Sequence, residues 1–330
     1  MTFTERAPIE EGFAPVFADR IAPELDRLEA ERLAHAGQAR RGMIWPVGIA
    51  AVLFGAFALF GWNLVVGGIV AVVIGGIAAL VIRGRHAGAW QQKIGDAVFP
   101  VVCEFLGDCR FDRRAEAGFS LAPLKELKIL PAYDSATIRD RLEGSYRDTA
   151  FEIVELTLTS RSTNGTNNSS TTTTEFHGLL MRIGVPVAVP TRIAILRDWG
   201  GMGNTLAGMF SGGKGRGMPR VEVDHAAFDA AFEVHADDPG AARAFLPPLL
   251  LDALLRIGEE EGGRKGAKGM RAGFDDGAFF LALDRRTGFM DLGALGRSAH
   301  EVEPEIHKLF EDMAIVRRII DRLHGDEPHW

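Results

Sequence analysis

Eight residues near the middle of the chain read Phe151-Glu152-Ile153-Val154-Glu155-Leu156-Thr157-Leu158. Apolar and polar side chains largely alternate along this stretch, as they do in a strand that packs one face on a core. A period of two also marks Ile193 and Ile195, and β-prone residues fill Phe279–Leu283. We therefore predict that β-strands organise the part of the chain beyond about residue 115.

Two helices are predicted in the second half of the chain. One begins near Pro239 and ends at Gly262, and the other covers Pro304–Leu323. Each has apolar residues at intervals of three or four, so each has a face that needs a partner. Blocks of strands followed by helices favour an α+β domain, an antiparallel sheet with packed helices, over residues 115–324. Residues 325–330 form a tail.

A long uncharged run precedes this domain. Residues 43–82 contain no Asp, Glu, Lys, Arg or His. A single helix of this length would rise roughly 60 Å, about twice the ~30 Å hydrocarbon core of a bilayer. Gly61-Trp62-Asn63 combines a glycine, an interfacial aromatic residue and an amide, which together indicate a turn. The run therefore predicts an N-terminal transmembrane α-helical hairpin with spans at 43–60 and 64–82 and a turn at 61–63.

Basic residues flank the run and are absent from its turn. Arg40 and Arg41 precede the first predicted span, and Arg83 and Arg85 follow the second. By the positive-inside rule, both termini are expected in the cytoplasm, with the hairpin in a bacterial inner membrane. A transport path would need polar groups within the spans, so the hairpin is predicted to be an anchor. Glycines in the spans would permit a homo-oligomer through close helix packing.

The segments on either side of the run have a helical period. Residues 1–42 carry apolar side chains every three or four positions from Phe13 to Leu28, which predicts a cytoplasmic amphipathic helix. Its apolar face would pack on the chain's own domain or on a second copy, with binding to the membrane surface as the alternative. Residues 83–114 predict a juxtamembrane helix with a kink at Pro100.

Composition argues against several classes of protein. A net charge of −7 and a pI near 5.8 give no basic surface for nucleic acid. The two cysteines, Cys103 and Cys109, are too few for a disulfide framework and are expected to be reduced. Residues 1–30 contain acidic residues and no apolar stretch of signal-peptide length, so no cleaved signal peptide is expected.

Four stretches in the second half of the chain have a characteristic order and spacing: Glu175-Phe176-His177-Gly178-Leu179-Leu180, Phe228–Asp238, Ala241–Leu255 and Phe274–Leu283. With the two predicted spans ahead of them, they resemble a family of uncharacterised bacterial two-span membrane proteins, domain of unknown function 3137. The chain departs from the family at Ala231, where Lys is usual, and at Ala236, where Tyr is usual. The resemblance implies the same architecture. It implies no activity, because the family has none assigned.

One loop nearly matches a phosphate-binding motif. Residues 208–215 fit G-x-x-x-x-G-K-[ST] except that Gly215 replaces the hydroxyl that would bind Mg²⁺. No helix is predicted after the loop to direct its N-terminus at a phosphate, so a surface loop is favoured over a nucleotide site. A weaker alternative is contact of Lys214, Arg216 and Arg220 with an anion or a lipid headgroup.

Other polar clusters have structural explanations. The nine histidines form no metal-binding motif, so neither a metal nor another cofactor is expected. His300 and His307 could share a helix face, but coincidence is the preferred interpretation. Asp275-Asp276-Gly277 predicts a turn, and Asp237-Asp238 predicts a helix cap. No motif suggests a nucleophile, and no catalytic residue is assigned.

These patterns favour a membrane-anchored cytoplasmic module that binds a protein or lipid partner without catalysis. Two alternatives stay open. One is a membrane-tethered enzyme whose site is assembled from residues scattered through the sheet, and the other, less favoured, is a transport-associated subunit. A homo-oligomer could form through the glycine-rich spans or through the amphipathic helices. The sequence does not decide whether the loops 161–171 and 200–219 are functional.

Overall fold

A computed structural model provides the structure of the chain. It describes residues 2–42, 88–113, 118–164, 169–197, 217–263, 269–285, 292–293 and 297–326, together with positions 48, 52, 55, 73 and 76. The chain divides into two compact units. The first comprises Met1–Phe105 and Asp291–Lys308, and the second comprises Leu106–Met290 and Leu309–Trp330.

The described part of the first unit is helical. A short α-helical turn at Phe13–Val16 and a π-helical turn at Phe17–Ile21 continue into helix α1, Ala22–Gly42. Helix α2 covers residues 88–106, and the last helix, here α7 (Glu303–Leu323), contributes its first residues.

The predicted apolar stripe near the N-terminus is buried within the first unit. Phe13, Phe17 and Ile21 are fully buried. The ring of Phe13 lies 5.0 Å from the ring of Phe3 and 5.0 Å from that of Phe105, in edge-to-face contacts that aromatic pairs prefer. The apolar stripe therefore packs on its own chain, which was one of the alternatives that the sequence left open.

The N-terminal segment is tied to the start of α7. His307 is buried, and its Nδ1 lies 2.7 Å from Oε1 of Glu10, which is also buried. Oε2 of Glu10 accepts a hydrogen bond from the backbone N–H of Arg6 at 2.6 Å. The ring of Phe3 stacks on the imidazole with centroids 4.5 Å apart. A buried carboxylate is thus satisfied by both a side chain and the backbone.

The predicted transmembrane hairpin at 43–82 lies largely outside the described residues. The positions described there are Gly48, Val52, Gly55, Val73 and Gly76, and all are helical. No helix in the described part of the chain is both long and apolar enough to cross a bilayer. The spans at 43–60 and 64–82 are therefore not supported by the structure and stay a prediction.

The second unit is built on an antiparallel sheet. Its described strands are β1 (Cys109–Asp112), β2 (Ser135–Tyr146), β3 (Thr149–Asn164), β4 (Ser169–Gly184), β5 (Ile193–Arg197), β6 (Arg220–Val221), β7 (Phe232–Ala236), β8 (Gly269–Asp275) and β9 (Ala278–Asp284). They lie in the order β1-β2-β3-β4-β9-β8-β5-β7-β6. Helices α3 (Ala122–Glu126), α4 (Ala226–Ala231), α5 (Pro239–Phe245) and α6 (Pro248–Gly263) accompany them. The predicted α+β class, an antiparallel sheet with packed helices, is confirmed.

Turn chemistry sets the register of two hairpins. Arg147 and Asp148 join β2 to β3 with φ angles of 52° and 59°, the left-handed conformation of a type I′ turn. Asp276 and Gly277 join β8 to β9 in the same way, with φ angles of 47° and 69°. The turn predicted at Asp275-Asp276-Gly277 is therefore present.

The helix predicted from Pro239 to Gly262 is wrong as one element. Pro247 and Pro248 interrupt it, because proline has no N–H for the helical ladder and disfavours helical backbone in the residue before it. Leu246 accordingly has an extended conformation, with φ −82° and ψ 100°. Asp238 caps the first of the two helices, since its carboxylate accepts hydrogen bonds from the N–H groups of Gly240 and Ala241.

The sheet is covered on both faces by apolar contacts. On one face, Val154, Leu156 and Leu180 pack with the segment 119–130, which includes α3. Residues of the opposite parity, such as Ile153, point to the other face and are also buried. Burial of apolar side chains on both faces stabilises the sheet through the hydrophobic effect.

A buried ion cluster joins α6 and α7 to the end of β9. Arg285 donates from Nε to Oε2 of Glu261 at 2.7 Å and from Nη1 to Oδ1 of Asp312 at 2.6 Å. All three side chains are at most 3% exposed. Burial alone would lower the pKa of the Arg285 guanidinium, but the hydrogen bond and charge of Glu261 and the charge of Asp312 raise it above its ordinary value. The two carboxyl groups therefore favour the charged form of Arg285, and the three side chains depend on one another.

We expect Arg285→Met to destabilise the chain by about 3–5 kcal/mol, because it removes the guanidinium that Glu261 and Asp312 share in this buried cluster. Arg318→Met is the matched control. Arg318 pairs with Glu260 across the same two helices at 3.3 Å, but Glu260 is half exposed. This control should lose about 1 kcal/mol or less. Denaturant titration of the full chain measures both values, and similar losses would contradict the assignment.

Candidate functional site

A groove lies at one end of strands β1 to β4. Its volume is about 520 Å³. It is lined by Asp108, Cys109, Arg110, Glu143, Gly144, Ser145, Ala150, Phe151, Glu152 and Arg182. All of these residues belong to the second unit.

Four charged residues form a row across the groove. Arg110 of β1 is directly opposite Glu143 of β2, Glu143 is opposite Glu152 of β3, and Glu152 is opposite Arg182 of β4. Residues directly opposite each other in antiparallel strands share one face of the sheet. The row, called here the charge row, therefore has the order positive, negative, negative, positive on a single face.

A fifth residue compensates the two adjacent carboxylates. Like charges directly opposite each other destabilise a sheet. Arg141 contacts both Glu143 and Glu152. Its Nη2 lies 3.0 Å from Oε2 of Glu143, and its Nε lies 2.7 Å from Oε1 of Glu152. Nη2 of Arg110 lies 2.7 Å from Oε1 of Glu143. The guanidinium of Arg141 thus bridges the two central glutamates, and that of Arg110 pairs with Glu143 at the β1 end of the row.

The groove raises the pKa of Glu152. Burial of this side chain raises the pKa of its carboxyl, and the charges of Arg141 and Arg182 oppose the shift without cancelling it. The charge of Glu143 adds to the rise. A carboxyl that burial and a neighbouring carboxylate push towards its neutral form can bind a proton or a ligand cation more readily than an isolated surface glutamate.

The wall of the groove is fixed by a close backbone approach at Gly144. A Cβ atom at this position would lie 2.2 Å from the carbonyl oxygen of Asp108, so no larger residue fits. Ser145 donates from its N–H to the same carbonyl at 2.9 Å and from Oγ to Oδ2 of Asp108 at 2.6 Å. These bonds hold the segment before β1 against β2.

Arg182 is the exposed member of the charge row nearest the middle of the sheet. Within the described part of the chain, no hydrogen bond or ion pair engages its guanidinium, although its charge acts on Glu152. Five N–H donors of a guanidinium are available there for a carboxylate or a backbone carbonyl. The groove therefore presents a donor group beside two acceptor groups.

The residues predicted from sequence to contact an anion lie elsewhere. Lys214 and Arg216, with the rest of the glycine-rich loop 208–215, fall outside the described residues. Arg220 begins β6, at the edge of the sheet opposite β1, and is exposed. Its Nη1 lies 3.9 Å from Oε1 of Glu233. The structure does not bring Arg220 to the groove, and anion or headgroup contact by these three residues stays a prediction.

His300 and His307 do not share a helix face, in agreement with the preferred interpretation of their spacing as coincidence. His300 lies in a short 3₁₀ turn, with Nε2 at 2.8 Å from Oδ1 of Asp26, whereas His307 lies in α7 beside Glu10. Among the described residues, no cluster of three or more His, Cys, Asp or Glu side chains could hold a metal ion. Cys103 and Cys109 form no disulfide with each other.

Sequence reasoning missed every residue of the charge row. A signal was present for one residue, because Glu152 is a charged residue at a strand position whose neighbours on the same face, Ala150 and Val154, are apolar. The sequence could not show that Glu143 and Glu152 would be adjacent, since strand register is a tertiary property.

One family model matches part of the chain. Residues 174–324 match the family model described as "Protein of unknown function (DUF3137)". The match runs from β4 to α7 and includes Arg182, but not the other members of the charge row. No curated protein and no solved structure matches the chain. The predicted likeness to a family of unknown function is thus confirmed for these residues.

The raised pKa of Glu152 predicts how stability depends on pH. Its neutral form is favoured in the fold, so its contribution is full below the ordinary value of 4.5 and is lost as pH rises through the raised value. Glu152→Gln keeps the neutral shape at every pH. We therefore expect the free energy of unfolding of this variant, minus that of the wild type, to increase from about pH 4 to pH 7.

Denaturant titrations of the full chain at several pH values measure this difference. Glu222→Gln, a change at an exposed glutamate of the same unit, is the control and should give a smaller pH dependence. A difference for Glu152→Gln that falls with rising pH would show that the groove favours the ionised carboxylate instead.

Proposed function

We propose that this protein is a membrane-anchored cytoplasmic module that binds a protein partner through the charge-row groove and does not catalyse a reaction itself. The observation that carries the proposal is the charge row, Arg110-Glu143-Glu152-Arg182, lying over a cavity of about 520 Å³. Both signs of charge are presented on one concave surface. Such a surface discriminates among partners, because a partner with mismatched charges leaves some of them unpaired.

The signs of the charges favour a protein over a lipid. The cytoplasmic leaflet of a membrane carries anionic lipids, which attract clustered Lys and Arg. Asp108, Glu143 and Glu152 line the groove beside its arginines, and their carboxylates would repel such a surface. A polypeptide can instead present a cationic side chain to the two central glutamates and a carboxylate or carbonyl oxygen to Arg182.

The proposed anchor is the uncharged run at 43–82. Val52 and Val73 are helical positions in that run and are 72% and 52% exposed. Exposed β-branched apolar side chains on a helix are suited to contact with lipid chains. The basic residues on both sides of the run support a bacterial inner-membrane location with both termini in the cytoplasm.

Reporter fusions test the proposed topology. A fluorescent protein fused after Trp330 should fluoresce, and alkaline phosphatase fused at the same point should be inactive, because it requires the oxidising side of the membrane. As a control, each reporter is inserted at the turn 61–63, where the opposite pattern is expected. Active phosphatase after Trp330 would exclude a cytoplasmic C-terminus.

Photo-crosslinking tests the groove as a partner site. A benzoylphenylalanine at Ala150, which is exposed and lines the groove, should capture one protein in native membranes. The same residue at Ala136, exposed on β2 outside the groove lining, is the matched control and should not capture it. The adduct should be lost when Arg182→Glu is added, because this reverses one end of the charge row.

Arg139→Glu makes the same charge change at an exposed arginine of β2 and should leave the adduct intact. The captured protein, once purified, should bind the full chain with an affinity that falls with added salt and with Arg182→Glu. An adduct that survives Arg182→Glu, or capture of lipid alone, would contradict the proposed protein-binding role.

A further inference from the structure

A polar two-stranded arm extends from the sheet. Residues 160–164 of β3 pair with residues 169–173 of β4, and the pairing of β2 with β3 ends at Ser135 and Thr159. These two segments are called here the arm. It belongs to the same hairpin as the charge row but lies at the other end of the strands.

The side chains of the arm are unusual for paired strands. Thr171, Thr172, Thr173 and Thr174 are consecutive and all exposed. Threonine is β-branched and favours extended backbone, yet these four side chains contribute little to the core. Ser162 and Thr163 on the partner strand are exposed as well. The arm therefore has backbone pairing between its strands but buries few of its side chains.

The outer edge of β3 is blocked. The backbone N–H of Arg161 donates to Oδ2 of Asp134 at 2.6 Å, so a side chain occupies the position that another strand would need. Oγ of Ser160 also lies 3.5 Å from the carbonyl oxygen of Ala132. Capping an edge in this way prevents pairing with a further strand.

The outer edge of β4 differs. Its pairing with β9 begins at Gly178, and the carbonyl of His177 accepts a hydrogen bond from the N–H of Arg285 at 2.7 Å. For residues 170–176, no strand in the described part of the chain pairs with this edge. A strand edge with unpaired N–H and C=O groups is a template for β-strand addition.

We propose that residues 171–174 of β4 pair antiparallel with the same residues of a second copy of this chain. A two-fold axis brings identical surfaces together, so Thr171–Thr174 of one copy faces Thr171–Thr174 of the other. The segment from Thr171 to Thr174 has no charge, and self-pairing opposes no like charges there. Threonine pairs across antiparallel strands are favourable.

This choice of partner follows from self-complementarity. A charged partner strand would find no opposite charge in this row of hydroxyl groups, whereas a second copy supplies the same β-branched row in the required direction. The pairing joins two sheets into one continuous sheet and places the two grooves at its far ends. The proposed dimer is inferred from the strand edge alone and does not depend on the proposed role of the groove.

Charge substitutions in the full chain test the pairing without requiring its exact register. Thr172→Lys with Thr173→Lys places like charges opposite each other near the two-fold axis, as does Thr172→Glu with Thr173→Glu. Each variant alone should raise the dissociation constant of the dimer by about threefold or more, since two directly opposed like-charge pairs are created and each costs a fraction of 1 kcal/mol. A one-to-one mixture of the two variants should restore wild-type association through opposite charges.

The matched control puts the same charges on the blocked edge. Ser162→Lys with Thr163→Lys lies on the same arm and should leave the dissociation constant unchanged. Sedimentation velocity over a concentration series, in one detergent throughout, measures all of these constants. Recovery in the mixture also shows that both variants are folded.

Three outcomes would overturn the proposal. They are a wild-type chain that stays monomeric, a Lys variant that dimerises as tightly as the wild type, and a β3-edge control that loses association as much as the β4-edge variant. The second outcome would place the dimer contact elsewhere, as in the predicted glycine-rich spans.

Discussion

The antiparallel pairing of β3 with β4 is the constraint on which the rest of the second unit depends. Each strand has 16 residues, the longest in the described sheet. One end of this hairpin places Glu152 opposite Arg182, and the other end extends beyond the sheet as the arm. The strands β2 and β9 attach on its two sides, so their registers are set relative to it. The groove and the open edge are two consequences of a single pairing.

Burial separates the structural charges from those available to a ligand. Arg285, Glu261 and Asp312 are almost completely buried, and their opposite charges offset part of the desolvation of the cluster. This cluster links α6 to α7 and therefore has a structural role. In the charge row, Arg110 has a side chain that is 76% exposed, and Arg182 is exposed as well. Solvent already hydrates these groups, so a ligand can replace water there at a smaller cost.

Local sequence signals were reliable where a few neighbouring residues determine the conformation. The helix cap at Asp238 and the turn at Asp276-Gly277 depend on side-chain to backbone bonds or on left-handed φ angles, and both were predicted. The predicted helix from Pro239 failed at Pro247-Pro248, where a helical apolar period continued across a break that proline imposes. In that case the periodicity was a weaker constraint than the missing N–H groups.

The sequence by itself determined the α+β class, the strand-forming segments, the uncharged run at 43–82 and the likeness to a family of unknown function, because these depend on composition, period and order along the chain. Only the tertiary structure decided that Arg110, Glu143, Glu152 and Arg182 form one row, since they are distant in sequence and meet through strand register. It also decided which edge of the arm is capped. A side chain from a separate segment, Asp134, closes one edge, and the sequence contains no local sign of that contact.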